Sequence, residues 1–336
     1  MLGSLLLVIL LFLGMPIAFV MMLVGFLGIS YLASIHAALP VVAKTLYETA
    51  SYYPYTIIPL FILMGGFAGN AGITRELYET FEKWFRRLPG GLGVATITAC
   101  AFFAALSGSS VAATAAMGTI AIPEMRRFNY SPRLAAGTVA AGGTLSFLIP
   151  PSLGFVVYGM LTEQSIGKLL ISGILPGLLL SFAFALIIIL QVKWNPQLAP
   201  ANPEDVSLKE KLLALKGVWE TMLVFFIVMG GIYLGFINPT EAGAIGASAL
   251  FLIVLLKRRL TLKNLFASLF EAARISVLVL FLVAGANVFS YFLALSTIPM
   301  AVSSWMAGLE ISRYIILAII ILIYMMLGCF LDAISI

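Results

Sequence analysis

Between Gly91 and Met125 the chain is apolar apart from a small, polar tip at Ser107-Gly108-Ser109-Ser110. A run of about 35 residues is too long for one membrane span and too short for two, because one crossing takes ~20 residues at 1.5 Å each. The sequence therefore predicts a re-entrant hairpin over 91–127, made of two shorter helices that meet at the tip. Unpaired backbone at membrane depth is tolerated only where protein, water or ions cover it, so the tip indicates an ion or substrate pathway.

The rest of the chain is too apolar for a soluble domain. Of its 336 residues 62% are hydrophobic and 10% charged, and the mean hydropathy is +1.11, which predicts an all-α polytopic membrane protein. Residues 73–88 have the pattern of an amphipathic helix at the membrane interface. Glu241, just after Asn238-Pro239-Thr240, suits an acidic helix start better than a ligand position. Predicted spans lie near 2–33, 56–72, 134–160, 169–191, 218–236, 241–256 and 275–295, with a further half-helix at 314–331.

Composition also restricts the chemistry. The only histidine is His36, Cys100 and Cys329 lie inside apolar runs, and the sequence has no phosphate-binding Gly-rich loop and no Ser/His/Asp set. We therefore expect no disulfide framework, no cofactor, no metal other than Na⁺, and no enzyme activity. An intramembrane enzyme would need two positioned titratable groups, and the acid Asp332 has no evident mate.

The basic residues indicate how the chain is oriented in the membrane. If the hairpin returns to the side it enters from, 16 Lys and Arg side chains lie on one side and only Lys44, Lys168 and Arg313 on the other. This asymmetry predicts that the 16-residue side of a multi-pass membrane protein is cytoplasmic. The net charge of +5 then reflects topology and gives no reason to expect a nucleic-acid partner.

A weak internal repeat appears at an offset of 220 positions, where Phe61–Gly65 matches Phe281–Gly285 and Gly108 matches Gly328. We interpret residues 1–192 as a first inverted repeat, with the hairpin at 91–127 and a broken helix at 134–160. Residues 193–217 form a cytoplasmic linker, and 218–336 form a second, incomplete repeat that ends in its own hairpin. Inverted repeats with broken helices are typical of secondary transporters. On this interpretation the chain is a fragment whose C-terminal part is missing.

The broken helix follows from Ile149-Pro150-Pro151, because proline has no N–H and disfavours helix at the preceding residue. Free carbonyls there, near the hydroxyl-rich tip, would suit Na⁺, a hard cation. A simple proline kink whose backbone groups are satisfied by neighbours is the alternative.

Several motifs occur in order along the chain and together resemble one family. They are Ser107–Ser110, Ile122–Met125, Ala140–Leu145 leading into Ile149–Ser152, Tyr158-Gly159, Ser165–Gly167, Pro176-Gly177 and Pro239–Ala242. The chain resembles the large membrane subunit of tripartite ATP-independent periplasmic (TRAP) transporters. The resemblance implies an elevator-type, Na⁺-coupled importer of organic acids in the bacterial inner membrane. Such an importer works with a small four-helix membrane subunit and a periplasmic substrate-binding protein.

The resemblance also implies site residues. It assigns a first Na⁺ site to Ser107 and Ser110 and to carbonyls around Ser146, Ile149 and Pro151, although family members more often have glycine at the position of Ser146. It assigns part of a second Na⁺ site to Gly328. Ser109, Ser152 and Asp332 are expected along the substrate path, since an acid at membrane depth is costly and usually functional.

Other functions stay open from the sequence alone. A one-component Na⁺/dicarboxylate carrier of related inverted-repeat design would need no binding protein, and a non-transporting membrane scaffold would need no hydroxyl-rich re-entrant tip. The identity of the organic acid cannot be read from these residues.

Overall fold

The computed structural model describes residues 2–200, 206–308 and 312–329, and the regular structure in these ranges is entirely helical. Short 3-10 turns at Tyr53–Thr56, Pro196–Leu198 and Leu215–Gly217 connect some of the helices. The α-helices are α1 (Leu2–Phe12), α2 (Ile17–Leu32), α3 (Ile35–Ser51), α4 (Ile57–Asn70), α5 (Ile73–Phe85), α6 (Gly91–Ser107), α7 (Ser110–Arg127), α8 (Pro132–Leu148), α9 (Leu153–Leu161), α10 (Ile166–Trp194), α11 (Leu208–Ala214), α12 (Trp219–Tyr233), α13 (Pro239–Leu256), α14 (Leu262–Ser296), α15 (Ile298–Ala307) and α16 (Arg313–Gly328).

Three of these helices, α10, α13 and α14, are long and apolar enough to cross a membrane by length and composition. The number rises to six if each bent pair of helices forms one span. These pairs are α4 with α5 (bend 62°), α8 with α9 (41°) and the 208–217 segment with α12 (47°). The all-helical, apolar architecture confirms the coarse prediction of a polytopic membrane protein, while the inverted repeats stay a prediction.

The structure corrects the predicted span at 2–33, which is two helices rather than one. The chain turns at Gly14, whose φ is +81°, and Pro16 follows it without an N–H to continue the helix. The helix α3 was not predicted, because His36, Lys44 and Glu48 lower its hydropathy below that of a span. Its start is nevertheless capped, since the Ser34 hydroxyl accepts a hydrogen bond from the Ala37 N–H at 3.2 Å.

The described residues form two compact units. The first combines residues 1–55 with 275–336, and the second is the continuous stretch 56–274. In the first unit α2 packs closely against the C-terminal half of α14: a Cβ on Gly25 would lie 2.9 Å from backbone atoms of Val288 and Phe289, and one on Gly285 would lie 2.5 Å from the Ala18 carbonyl oxygen. Small residues that allow such close backbone approach are typical of helix packing in membranes.

The second unit contains the hairpin and the broken helix. Its centre is α6, which packs against α4, α5, α7, α8, α10 and α12. The amphipathic helix predicted at 73–88 is α5, and its apolar face is buried against α6, with the Phe81 and Phe102 ring centroids 4.8 Å apart. Its location at a membrane interface stays a prediction. Glu241 lies in the first turn of α13, as predicted. It forms a capping box with Asn238, and both hydrogen bonds of the box are 2.9 Å long.

An ionic cluster joins three segments of this unit. Lys257, just after α13, forms ion pairs with Glu76 of α5 at 3.0 Å and with the fully buried Glu220 of α12, and Arg259 pairs with Glu76 at 2.5 Å. Burial acts to raise the pKa of Glu76, but the hydrogen bonds and charges of Arg259 and Lys257 outweigh it and lower that pKa below 4.5. The stabilisation from this carboxylate is thus present above pH 4.5 and is lost as the pH falls through the lowered pKa.

Candidate functional site

The hairpin tip has the position and the turn predicted for it. The helix α6 ends at Ser107, and Gly108 adopts a left-handed conformation with φ +59° while its N–H donates to the Ala104 carbonyl at 3.2 Å. This is a glycine C-cap, in which glycine carries no Cβ penalty. Ser109 then caps α7, because its hydroxyl accepts from the Ala112 N–H at 3.4 Å. The depth of the tip in a membrane stays a prediction.

The helix break lies at 149–152, between α8 and α9. The last helical bond runs from the Ile149 N–H to the Leu145 carbonyl at 2.8 Å. Because Pro150 and Pro151 have no N–H, the carbonyls of Ser146 and Phe147 lose their usual donors four residues on. The Ser152 hydroxyl replaces one of them by donating to the Phe147 carbonyl at 2.6 Å. The Ser146 carbonyl is left without a helical donor.

The tip and the break contact each other directly. The Leu153 N–H donates to the Gly108 carbonyl at 3.2 Å, and a Cβ on Gly108 would lie only 2.8 Å from the Pro151 carbonyl oxygen. From another side α4 covers the tip, because a Cβ on Gly65 would lie 2.6 Å from the Ser107 Cα. The fold thus brings together two irregular backbone segments that are about forty residues apart in the sequence.

The helix α7 begins at this junction and lies close to α8. A Cβ on Gly143 would overlap the Thr114 hydroxyl and lie 3.3 Å from the Ser110 carbonyl oxygen, so glycine permits the approach. Beside this contact is an open cleft of about 440 Å³, lined by Ser110, Val111, Thr114, Ala115 and Thr144. Ser110 itself is half-buried and faces this cleft.

Two hydroxyls near the junction lack partners. The side chains of Ser107 and Ser146 are 1% and 0% exposed, and neither Oγ atom has a hydrogen-bond partner among the described residues. A buried hydroxyl without a partner is costly and requires an explanation. Oxygen atoms from hydroxyls and free carbonyls are the ligands that hard cations take. The Ser107 hydroxyl in the tip, and the Ser146 hydroxyl and carbonyl beside the break, are oxygen atoms of this kind.

Glycine is not needed at position 146. Ser146 lies inside α8 and is not among the residues with positive φ, so serine fits the backbone there.

The other predicted site residues lie as follows. Ser152 is fully buried and its hydroxyl is used within the break, and Ser109 is half-buried at the start of α7. Gly328 is the exposed last residue of α16, and Asp332 lies outside the described residues. The roles of these four residues stay predictions.

Sequence reasoning missed one acidic residue, Glu271 of α14. It lines a cavity of about 260 Å³ with Asn70, Thr74 and Thr119, and the Thr74 hydroxyl is buried there without a partner among the described residues. The available signal was an acid only four residues before the predicted span at 275–295.

Comparison with known proteins agrees with this architecture. Residues 4–336 match the family model of the tripartite ATP-independent periplasmic transporter, DctM component. A C4-dicarboxylate TRAP transporter large permease protein from Pseudomonas aeruginosa is 37% identical over 86% of this chain and 67% of its own length. An isethionate TRAP transporter permease protein from Oleidesulfovibrio alaskensis is 36% identical over 96% of this chain, which spans half of that relative.

The 2,3-diketo-L-gulonate TRAP transporter large permease protein of Escherichia coli is 32% identical over 95% of this chain and 74% of its own length. These relatives are permease subunits and not enzymes, as the sequence predicted. The match over nearly all 336 residues shows that the chain belongs to the DctM family of large membrane subunits of TRAP transporters.

Proposed function

We propose that this chain is the transmembrane subunit of a Na⁺-coupled importer of organic acids, and that Na⁺ binds between the hairpin tip and the helix break. The observation that carries the proposal is that two hydroxyls, Ser107 in the tip and Ser146 in the last turn before the break, are buried without a partner among the described residues. Pro150 also leaves the Ser146 carbonyl without a helical donor. Ser110 and the carbonyls of Ile149 and Pro151 complete the set of candidate ligands. Gly328 is a candidate ligand of a second Na⁺.

The substrate class follows from the relatives. Their names give a C4-dicarboxylate, isethionate and 2,3-diketo-L-gulonate as substrates, and all three are small organic anions. We infer that this chain moves a compound of the same class. Ser109, Ser152 and Asp332 are the candidate residues along its path.

The mechanism and the partners are further parts of the proposal. An elevator movement would carry the ion site across the membrane. A periplasmic binding protein would deliver the substrate, and a small four-helix membrane subunit would assemble with this chain. Support comes from the membership of the family and from the continuous 56–274 unit, which contains both the tip and the break. A movement of this unit would keep the two halves of the ion site together.

The test is uptake into proteoliposomes that contain the full-length protein and its small subunit. We expect accumulation of a radiolabelled organic acid only with an inward Na⁺ gradient and only with the binding protein outside. Replacing the Na⁺ gradient by a K⁺ gradient is the control. Uptake without the binding protein would favour the one-component carrier, and uptake that ignores Na⁺ would contradict the proposed coupling.

A further inference from the structure

A further cavity, of about 700 Å³, lies between α6, α8 and α10. Its lining includes no residue of the hairpin tip or the break. Its volume is within the range of about 300–1,000 Å³ that is typical of ligand sites. Most of the lining is apolar, with Ile97 from α6, Leu134 from α8 and Phe184 and Ile187 from α10. The cavity is open on one side, so it forms a groove on the surface of the 56–274 unit.

One end of the groove is polar and basic. Arg133, at the start of α8, lies there with Gln191, Trp194 and Asn195 from the end of α10. The two segments are joined by a hydrogen bond from the Ser131 N–H to the Leu198 carbonyl at 2.8 Å. Arg133 is exposed and forms no ion pair with any acid in the described part of the chain. This end of the groove therefore presents a positive charge without a partner.

A buried hydroxyl inside the groove also lacks a partner. The Thr138 side chain is 3% exposed, and its Oγ1 has no hydrogen-bond partner among the residues that the structure describes. The preceding residue, Gly137, also lines the groove and faces open space, because a Cβ built on it would meet no atom within 4 Å. The groove thus offers an apolar channel, one internal hydroxyl and one unpaired cation at its mouth.

We propose that the groove binds an anionic phospholipid, with the phosphate at Arg133 and an acyl chain along α6, α8 and α10. The basic end belongs to the side that the distribution of Lys and Arg predicts to be cytoplasmic, where basic pockets between helices bind anionic headgroups. The 81% exposed Trp194 suits the headgroup level of a membrane. The Thr138 hydroxyl can donate to an ester oxygen of the lipid. This inference requires only that the chain lies in a membrane and does not depend on the proposed transport.

The test is native mass spectrometry of the purified protein in detergent, titrated with phosphatidylglycerol or with phosphatidylcholine. We expect the wild type to bind one phosphatidylglycerol more tightly than phosphatidylcholine. Arg133→Gln should lower the phosphatidylglycerol affinity about fivefold, as the loss of about 1 kcal/mol per basic residue implies. Gly137→Leu should abolish the binding of that one lipid, because the new side chain fills the groove.

The matched control is Gly230→Leu in α12, since Gly230 also has no atom within 4 Å of a built Cβ and does not line the groove. This variant should bind lipid as the wild type does. If Gly137→Leu proves unfolded by circular dichroism, Ile187→Trp fills the groove from α10 instead. The proposal would be overturned if the folded groove variants bound as many phosphatidylglycerol molecules as the wild type. Equal affinities of the wild type for the two lipids would also overturn it.

Discussion

At the scale of single residues, Ser107 and Ser146 carry the most information, because their buried hydroxyls have no partner in the described structure. Packing alone would favour alanine at both positions, since a buried hydroxyl without a hydrogen bond costs about 1–3 kcal/mol in proteins. A bound cation reverses this preference. The two interpretations therefore make opposite predictions for the same substitutions.

We predict that Ser107→Ala and Ser146→Ala each raise the Na⁺ concentration for half-maximal uptake several-fold, because each removes an oxygen ligand from a dehydrated cation. Thermal stability without Na⁺ should stay the same or rise. Uptake measured against Na⁺ concentration in proteoliposomes checks the first effect, and thermal unfolding in detergent checks the second. Ser172→Ala in α10 is the control, since that hydroxyl is exposed. An unchanged Na⁺ dependence in both site variants would leave the hydroxyls without a role in coupling.

A second residue-scale prediction concerns Lys257 and the buried Glu220. Lys257→Met leaves the carboxylate of Glu220, which is fully buried, without its cation, and such a loss costs about 3–5 kcal/mol. Lys44→Met is the matched control, because its pair with Glu48 is exposed and is worth at most about 1 kcal/mol. Denaturant unfolding in detergent should separate the two variants.

The double variant Lys257→Met/Glu220→Gln should recover part of that loss, since it removes the unpaired charge. Equal stabilities of Lys257→Met and Lys44→Met would show that water reaches Glu220 and that the pair is not buried in solution.

At the scale of helices, the sequence predicts what covalent geometry dictates. Two consecutive prolines at 150–151 end a helix, two helices meet at the predicted Ser107–Ser110 tip, and Glu241 lies in the first turn of α13. The left-handed conformation of Gly108 and the capping box with Asn238 are seen only in the structure. The prediction of spans from apolar runs was wrong at the single span 2–33 and missed the helix α3. The break at Gly14 disappears inside an apolar run, and the polar side chains of α3 conceal a helix.

Tertiary contacts are the part that the sequence could not predict. Nothing in the local pattern places the Gly108 carbonyl beside the Leu153 N–H, and the close approach of α7 to α8 at Gly143 depends on the packing of both helices. The polar tip and the Pro150-Pro151 break indicated an ion site, and the family resemblance supplied the candidate ligands. The meeting of tip and break and the lack of partners for its hydroxyls are visible only in the structure.

The contact between tip and break gives a prediction at this scale. Gly108→Ala should destabilise the protein more than Gly72→Ala. Both glycines have positive φ, which costs alanine about 1–2 kcal/mol, and only Gly108 has the Pro151 carbonyl 2.8 Å from a built Cβ whereas Gly72 faces open space. Thermal unfolding of both variants checks this order. Similar melting temperatures would mean that the break does not pack against the tip.

At the scale of the whole molecule, the distribution of Lys and Arg predicts which loops face the cytoplasm. Single cysteines introduced into 193–200 or 206–217 should react with an impermeant maleimide only from the cytoplasmic side, and those in 161–168 only from the opposite side. The helix between them, α10, is long and apolar enough to cross once. The control replaces Cys100 and Cys329 first, so that only the introduced thiol reacts. Labelling of both segments from the same side would contradict the crossing by α10, and labelling of the 193–217 segment from the outside would contradict the orientation on which the re-entrant hairpin was inferred.

The division of the chain into a continuous and a discontinuous unit has a consequence for biogenesis. The packing partners of α2 lie in the C-terminal half of α14, where Gly25 meets Val288 and Gly285 meets Ala18. At about 5–20 residues per second of synthesis, the ribosome needs on the order of tens of seconds to make the intervening unit. The helix α2 must therefore stay in the bilayer without its α14 contacts until that segment is made. The 56–274 unit is translated in one piece and can fold before these contacts form. Newly made protein should accordingly pass through a stage in which the hairpin tip and the helix break have already met within the 56–274 unit, while α2 has not yet packed against α14.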